Sequence, residues 1–165
     1  LPKFKHIRKV VEKTQSIVLE DKKWKWIVAH HSGIEDGNAR VYEYYHKEVK
    51  RMRDGLAYHF VIGSGKDSGD GEVEVGSRWI YQQRGGHVQR TEVNDHGIGI
   101  CLVGNFQNRK PTAKQMEAFH ELMDFLQNIV LEKKCAFAGH KEIDLNHTVC
   151  PGRQFPLREM HLKYD

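Results

Sequence analysis

Residues 97–103 read GIGICLV, a nearly unbroken apolar run. A strand that is apolar on both sides fits the middle of a sheet whose two faces are covered, so this stretch predicts a central strand. β-rich stretches elsewhere in the chain predict further strands, and residues 64–71 (SGKDSGDG) predict a hairpin connection. The other predicted strands cover residues 24–30, 58–63, 72–81 and 135–139.

Helices are predicted between the strands, because apolar residues recur there at three- and four-residue spacing. Asn38 is the predicted N-cap of a helix over residues 38–53. Thr112 and Gln115 form a predicted capping box that opens a long helix over residues 112–130. The remaining predicted helices cover residues 4–19 and 155–162, whereas residues 83–96 and 140–153 are predicted loops.

Strands that alternate with helices predict an α/β fold, a single domain with a central mixed β-sheet flanked by helices. The chain has 165 residues, of which 39% are hydrophobic, and this is enough for one core. We expect residues 1–23 to form an N-terminal helical extension and residues 24–165 to form one globular unit. Because no apolar run approaches the ~20 residues of a membrane helix, the sequence excludes an integral membrane protein.

The charge balance is mildly basic and evenly spread. Lys and Arg number 26 against 22 Asp and Glu, which gives a net charge of +4. A nucleic-acid-binding face normally concentrates its positive charge, and no such block is visible, so we expect no nucleic-acid partner. A small net positive charge is compatible with an anionic polymer as the binding partner. The 3 cysteines are too few for a disulfide framework.

Histidine is unusually frequent, with 11 residues, and three potential metal ligands stand at predicted strand ends or in the loop beside them. His30 closes the first strand, His140 follows the last strand, and Cys150 lies in the loop after it. Two imidazoles and one thiolate would suffice for a catalytic zinc ion, which takes three protein ligands and keeps one open position. The spacing alone does not show that these three residues bind a metal, because each could equally be a buried polar or thiol side chain without one.

A series of short motifs adds specificity. In chain order these are WIVAHHSG, GLAYHFVIG, GEVEVGSRW, GGHV, DHGIGICLVGNF, PTAKQMEAFHELMDFL, AGHKEI and TVCPGRQFP. The ordered set resembles the type 2 family of zinc-dependent N-acetylmuramoyl-L-alanine amidases, which includes amidase-type phage lysozymes and animal peptidoglycan recognition proteins. The resemblance covers residues 24–155. It implies that residues 24–165 are a type 2 amidase domain, with one Zn²⁺ in a surface groove.

The resemblance implies that His30, His140 and Cys150 are the zinc ligands. His31 is the alternative to His30, because the two are adjacent in the motif AHHS. Successive side chains of a strand point to opposite faces, so we expect only one of the pair to bind the metal.

Two residues are implied in catalysis. In one branch of the family a Glu acts as general base, but Cys101 occupies its position here. In the other branch a Tyr assists the attacking water, and Tyr58 matches it; the alternative is a packed strand aromatic. Thr148 stands two residues before Cys150, where its hydroxyl could donate to a developing oxyanion. Its alternative role is to turn the loop before Pro151.

Four further residues are implied to contact the substrate. His87 and Asn105 match positions that line the groove of the family, where they either bind substrate or support the site. His147 and Arg153 flank Cys150 and could meet substrate carboxylates. The alternative is that His87 and Asn105 anchor loops and that Arg153 is a solvated charge.

The function implied by the resemblance is hydrolysis of the amide between N-acetylmuramic acid and L-alanine in peptidoglycan, with peptidoglycan or a muropeptide as the partner. One alternative is a peptidoglycan-binding module without activity; non-catalytic relatives usually carry Ser in place of the cysteine ligand, and here Cys150 is present. A second alternative is a cysteine hydrolase that uses Cys150 with His140. The substrate implies a cell-envelope or extracellular location, although cytosolic relatives also exist. We expect a monomer.

Overall fold

A five-stranded mixed sheet organises the residues that the computed structural model describes, namely 3–20, 23–131 and 134–165. The strands are β1 (Trp26–His31), β2 (Phe60–Ile62), β3 (Val73–Val75), β4 (Gly97–Leu102) and β5 (Ala136–Gly139), in the order β3-β2-β4-β1-β5. Strand β1 pairs in parallel with β4 and β5, and β2 pairs in parallel with β4 and antiparallel with β3. The predicted central position of the GIGICLV strand is confirmed.

Helices lie on both sides of this sheet. They are α1 (Arg8–Gln15), α2 (Ala39–Tyr44), α3 (Ser77–Ile80), α4 (Thr91–His96), α5 (Ala113–Phe125), α6 (His140–Ile143) and α7 (Leu157–Tyr164). Helices α2 and α5 each continue into a π-helical turn, Tyr45–Val49 and Leu126–Val130. The fold is therefore the predicted single α/β domain.

The main apolar core lies on one face of the sheet, under α1, α5 and α7. Ile27 of β1 and Ile100 of β4 are fully buried there, together with Phe119 of α5. Ile7 and Val10, at the start of the chain, belong to the same core. The predicted N-terminal segment, residues 1–23, is therefore packed into the domain core over its described part; residues 1–2 and 21–22 lie outside the described residues.

The opposite face of the sheet carries two smaller apolar clusters. One contains Tyr42, Leu56, Val61 and Val103, and the other contains Val28, Val88 and Val93. These clusters are smaller than the main core. Buried polar side chains, including His30 and His87, lie on the same face of the sheet.

Three short helices stand where the sequence predicted other structure. The predicted strand over residues 72–81 is wrong in its second half, because β3 ends at Val75 and α3 follows. The helical turn places Trp79 in the core, where its indole N–H donates to Thr14 Oγ1 at 3.0 Å. The predicted loops at residues 83–96 and 140–153 contain α4 and α6. Helices of four to six residues are too short to show an apolar period.

The predicted helix starts are confirmed at two places. Asn38 accepts a hydrogen bond from the N–H of Val41, as an N-cap does. Thr112 and Gln115 form the reciprocal capping box at the start of α5. None of the helices in the described part of the chain is both long and apolar enough to span a bilayer.

Candidate active site

Three potential metal-binding side chains converge at one edge of the sheet. Strands β1 and β5 are parallel neighbours, so their carboxyl ends lie side by side, and His30 near the end of β1 meets His140 just after β5. Cys150 joins them from the loop after α6. The potential ligand atoms of the three residues all lie within 4.8 Å of one another. His30 Nδ1 and Cys150 Sγ are 3.6 Å apart.

The two adjacent histidines of β1 point to opposite faces, as strand alternation requires. His31 packs against Phe106, and its Nδ1 accepts the Phe106 N–H at 3.0 Å. The main-chain N–H of His31 instead points to Cys150 Sγ at 3.3 Å. The structure thus places His30, and not the side chain of His31, in the cluster with His140 and Cys150.

Burial controls the protonation of the cluster. Burial, together with the neighbouring His87 and His140, lowers the pKa of His30 well below its ordinary value. Burial also lowers the pKa of His140 and raises the pKa of the Cys150 thiol to about 12. Without a cation the three donors are therefore two neutral imidazoles and a thiol. A cation that binds them would displace the thiol proton, which couples binding to pH.

Each imidazole of the cluster has a polar partner for its second nitrogen. His30 Nε2 lies 2.8 Å from His87 Nδ1, and His87 Nε2 lies 3.0 Å from the carbonyl oxygen of Gly97. His140 Nε2 lies 2.7 Å from Asp144 Oδ2. Metal-binding histidines commonly use their second nitrogen in this way, since the partner orients the ring.

Asp144 is a site residue that the sequence analysis did not identify. Its carboxylate accepts the N–H groups of Gln89 at 2.7 Å and Arg90 at 3.3 Å. Burial opposes its ionisation, but the hydrogen bonds from Gln89, His140 and Arg90 outweigh this and lower the pKa of Asp144. The signal was present in the sequence, because an Asp four residues after a His shares its helix face.

Tyr58 stands beside the cluster, just before β2. Its ring centroid is 5.1 Å from that of His30. Tyr58 also lies close to Cys101, which is paired in register with His30 in the sheet. Burial, followed by the nearby Cys101 and Cys150, raises the pKa of Tyr58 well above its ordinary value. The hydroxyl is therefore neutral and can donate a hydrogen bond.

Thr148 lies in the loop before Cys150. Its Oγ1 accepts the main-chain N–H of Cys150 at 3.1 Å, so the hydroxyl does help to shape this loop. Accepting that bond leaves the hydroxyl hydrogen free to donate elsewhere. The structural role and the predicted catalytic role of Thr148 are therefore compatible.

Two clefts flank the cluster. The apolar cleft, about 320 Å³ in volume, is lined by Ser32, Ile34, Val41, Tyr42, Tyr45, His46 and Tyr58. The polar cleft, about 310 Å³ in volume, is lined by Gly86, His87, Val88, Gln89, His140, Asp144, His147 and Thr148. The two predicted catalytic residues thus face different clefts, and the cluster of His30, His140 and Cys150 is near both.

A model of the N-acetylmuramoyl-L-alanine amidase family matches residues 20–153. The chain belongs to this family. Peptidoglycan recognition protein 1 of Mus musculus is 32% identical over 117 residues, which cover 70% of this chain and 58% of that protein. The chain spans about half the length of several curated relatives that it matches.

Solved structures of the family share the fold. LysC, an N-acetylmuramoyl-L-alanine amidase from Clostridium intestinale URNW, has a TM-score of 0.71 and 29% identity, covering 86% of this chain and 85% of LysC. The peptidoglycan recognition proteins LCa and LCx were solved as an ectodomain complex with tracheal cytotoxin. That structure has a TM-score of 0.67 and 26% identity, covering 86% of this chain and 82% of the other.

The residues predicted to bind substrate occupy different environments. His87 is only 5% exposed, and both of its ring nitrogens already have partners within the protein. His147 is exposed and lines the polar cleft. Asn105 Oδ1 accepts the N–H of Gln107, and the guanidinium of Arg153 donates to the Gln107 carbonyl at 2.9 Å. Of the four, His147 has the most accessible position beside the cluster, and the substrate-binding roles stay predictions.

Proposed function

We propose that this domain hydrolyses the amide between N-acetylmuramic acid and L-alanine in peptidoglycan, with one Zn²⁺ held by His30, His140 and Cys150. The proposal rests on one observation: these three donors converge in a chain that belongs to the amidase family. The amidase LysC and the peptidoglycan recognition proteins among its relatives support peptidoglycan as the class of ligand.

The donor set fits zinc in type and in spacing. Zinc binds imidazole nitrogen at about 2.0–2.1 Å and thiolate sulfur at about 2.3 Å in tetrahedral sites, which places such a nitrogen and sulfur about 3.6 Å apart. His30 Nδ1 and Cys150 Sγ are separated by 3.6 Å. Two neutral imidazoles and one thiolate would leave the zinc site with a formal charge of about +1, which preserves its Lewis acidity. Three protein donors also leave a fourth position for the reaction.

Zinc, when bound, would lower the pKa of water to about 7 and polarise the scissile carbonyl. The protein's own groups then have to orient the attacking water and stabilise the charge that develops. Tyr58 fits the first task, because its ring lies next to that of His30 and its neutral hydroxyl can form a hydrogen bond to the water. Cys101 occupies the position of the Glu base in the other branch, so Tyr58 is the proposed proton-handling group.

Thr148 fits the second task. Its hydroxyl hydrogen is not used in the bond from Cys150, and the side chain lines the polar cleft. A hydroxyl donor aimed at the developing oxyanion would contribute stabilisation that is absent from the ground state. His147 lines the same cleft and is proposed to meet polar groups of the stem peptide; Arg153 and Asn105 are proposed to act from the neighbouring loop.

Recognition without hydrolysis is the alternative from another class. This alternative is supported by the relatives of the chain, several of which are peptidoglycan recognition proteins. The presence of Cys150 in the cluster supports hydrolysis instead, because a binding module needs no metal-activated water. A cysteine hydrolase is less well supported, since burial raises the pKa of Cys150 to about 12 and thereby disfavours the nucleophilic thiolate.

The proposed substrate implies a cell-envelope or extracellular site of action, and we propose that the domain acts as a monomer. The proposed function is tested by identifying which bond of the substrate the protein cleaves. The zinc-loaded protein is incubated with a purified muramoyl peptide, and the products are identified by mass spectrometry. The proposal requires a free peptide that begins with L-alanine; a muropeptide that binds but stays intact would favour the recognition alternative.

A further inference from the structure

We propose that His87 is a positioning residue, which accepts a hydrogen bond from His30 Nε2–H and thereby aims the His30 Nδ1 lone pair at the metal position beside Cys150. This inference rests on the proposed zinc site. It assigns to His87 a role through His30 in place of direct contact with substrate.

His30, His87 and the Gly97 carbonyl form a series of hydrogen bonds, and the direction of each bond follows from the carbonyl at its end. The carbonyl oxygen of Gly97 can only accept, so His87 Nε2, 3.0 Å away, must carry a proton. Only one proton fits between His87 Nδ1 and His30 Nε2, which are 2.8 Å apart, and it must belong to His30 if His30 Nδ1 is to keep the lone pair that faces Cys150. His87 Nδ1 is therefore an acceptor.

The proton on His30 is placed by the same reasoning. His30 Nε2 lies 2.8 Å from the bare His87 Nδ1, so the proton between them belongs to His30 Nε2. A neutral His30 then has its only lone pair on Nδ1, which faces Cys150 Sγ at 3.6 Å. One tautomer and one ring orientation of His30 satisfy both contacts. This is the arrangement that a metal between His30 and Cys150 requires.

The His87 ring is itself held in a fitted slot. A Cβ atom on Gly99, in β4, would lie 2.6 Å from His87 Cδ2, and a Cβ atom on Gly85 would lie 2.3 Å from the same atom. Both distances are too short for any side chain, so these glycines leave the space that the ring fills. The main-chain N–H of His87 also donates to Asn94 Oδ1 at 2.9 Å. Main chain and ring are thus both fixed before a metal binds.

The segment that carries His87 also supports the second imidazole. Gln89 and Arg90 donate their N–H groups to Asp144, which contacts His140 Nε2. The two imidazoles therefore depend on one segment, residues 87–90. Their partners differ in charge, since His140 faces a carboxylate and His30 faces a neutral ring. His87 therefore orients the ring of His30 without placing a negative charge next to the metal.

The contact can be tested first in the metal-free protein by NMR. With ¹⁵N-labelled histidine, a proton on His30 Nε2 should show a through-hydrogen-bond coupling to His87 Nδ1. A proton found on His30 Nδ1 or on His87 Nδ1, or no coupling between the rings, would overturn the proposal. This readout does not depend on zinc or on hydrolysis, so it separates failure of this inference from failure of the proposed function.

Zinc affinity is the second test, measured by competition with a chromophoric chelator. His87→Ala should weaken zinc binding by about 10–100-fold, the usual effect of losing such a partner. His87→Gln should restore most of the affinity, because its amide can accept from His30 and donate to Gly97. His96→Ala is the matched control, since His96 also bonds a main-chain carbonyl, that of Lys23, and is outside the cluster.

The cobalt-substituted proteins show whether the ligands themselves survive. At saturating Co²⁺, His87→Ala should keep the thiolate-to-cobalt absorption band, since no ligand has been removed. Equal zinc affinity in His87→Ala and the wild type would contradict the proposal. So would equal losses in His87→Ala, His87→Gln and His96→Ala, because a general loss of packing predicts that pattern.

Discussion

At the scale of single residues, Cys150 is the donor whose charge changes most when a cation binds. Buried and alone it is a thiol, and with a metal it becomes a thiolate. Its Sγ also receives the main-chain N–H of His31, a contact that favours the anionic form. Substitution of Cys150 is therefore the change that best distinguishes a zinc-dependent hydrolase from a recognition module.

Cys150→Ser should lose zinc affinity and hydrolysis, because a hydroxyl is a much poorer zinc ligand than a thiolate. The fold and some muropeptide binding should remain, since other residues build the clefts. Zinc content by mass spectrometry and muropeptide binding by calorimetry measure the two effects separately. Cys135→Ser, a buried cysteine outside the cluster, is the matched control. Full activity in Cys150→Ser would exclude both the zinc-ligand role and the thiol-nucleophile alternative.

Tyr58→Phe removes one hydroxyl and preserves the ring that packs near His30. We expect kcat to fall by roughly 10²–10⁴-fold, the usual contribution of a positioned proton-transfer group, with zinc content unchanged. Thr148→Ala should lower kcat by a smaller factor, because the metal also stabilises the oxyanion. Steady-state kinetics on a muramoyl peptide provide the comparison. A near-normal kcat in Tyr58→Phe would mean that another group handles the proton.

At the scale of secondary-structure elements, Gln115 connects α5 to the sheet. Its side-chain carbonyl accepts the Thr112 N–H at 3.1 Å, which completes the capping box. Its amide donates to the carbonyls of Ile62 at 3.2 Å and Val103 at 2.9 Å. The residue is fully buried, so it caps the helix and satisfies the ends of two neighbouring strands.

Gln115→Met keeps the length of the side chain and removes all three hydrogen bonds. Because buried polar groups lose their partners, we expect the free energy of unfolding to fall by about 2–3 kcal/mol. Chemical denaturation measures this change. Lys114→Met, at the exposed neighbouring position, should change it by less than about 0.5 kcal/mol. Equal stability of Gln115→Met and the wild type would show that the hydrogen bonds of Gln115 contribute little.

Helices α6 and α7 are joined by His161, which contacts Glu142 at 2.8 Å and Asp165 at 2.9 Å. Burial acts to lower the pKa of His161, but the hydrogen bonds to Glu142 and Asp165 outweigh it and raise the pKa. A raised pKa means that the folded state holds the proton more tightly, so the contact stabilises fully below the unfolded pKa of about 6.5. The stabilisation is lost as the pH rises through the higher folded pKa.

The difference in unfolding free energy between the wild type and His161→Gln should therefore shrink from mildly acidic to mildly alkaline pH. Denaturation curves of both proteins at a series of pH values provide the measurement. A difference that is constant across this range, or that grows with pH, would show that the charge on His161 does not contribute.

At the scale of the whole molecule, the sequence predicted the central strand, the hairpin and the long capped helix, because each has a strong local pattern. It did not predict α3, α4 and α6, which are short and lack a period. The motifs also identified the cluster of His30, His140 and Cys150. The partners of the two imidazoles differ in this respect. Asp144 lies four residues after His140, a local spacing that the sequence analysis did not use. His87 is 57 residues from His30 in the chain, and only the packing of separate segments brings the two rings together.

The central claim is that a zinc ion held by His30, His140 and Cys150 drives hydrolysis of the muramoyl–alanine amide. Its most direct test is to measure zinc content and hydrolysis on the same sample before chelation, after chelation and after zinc is added back. The account predicts about one zinc ion per chain, loss of hydrolysis with the metal, and recovery on addition of zinc. Undiminished hydrolysis by the metal-free protein would contradict it.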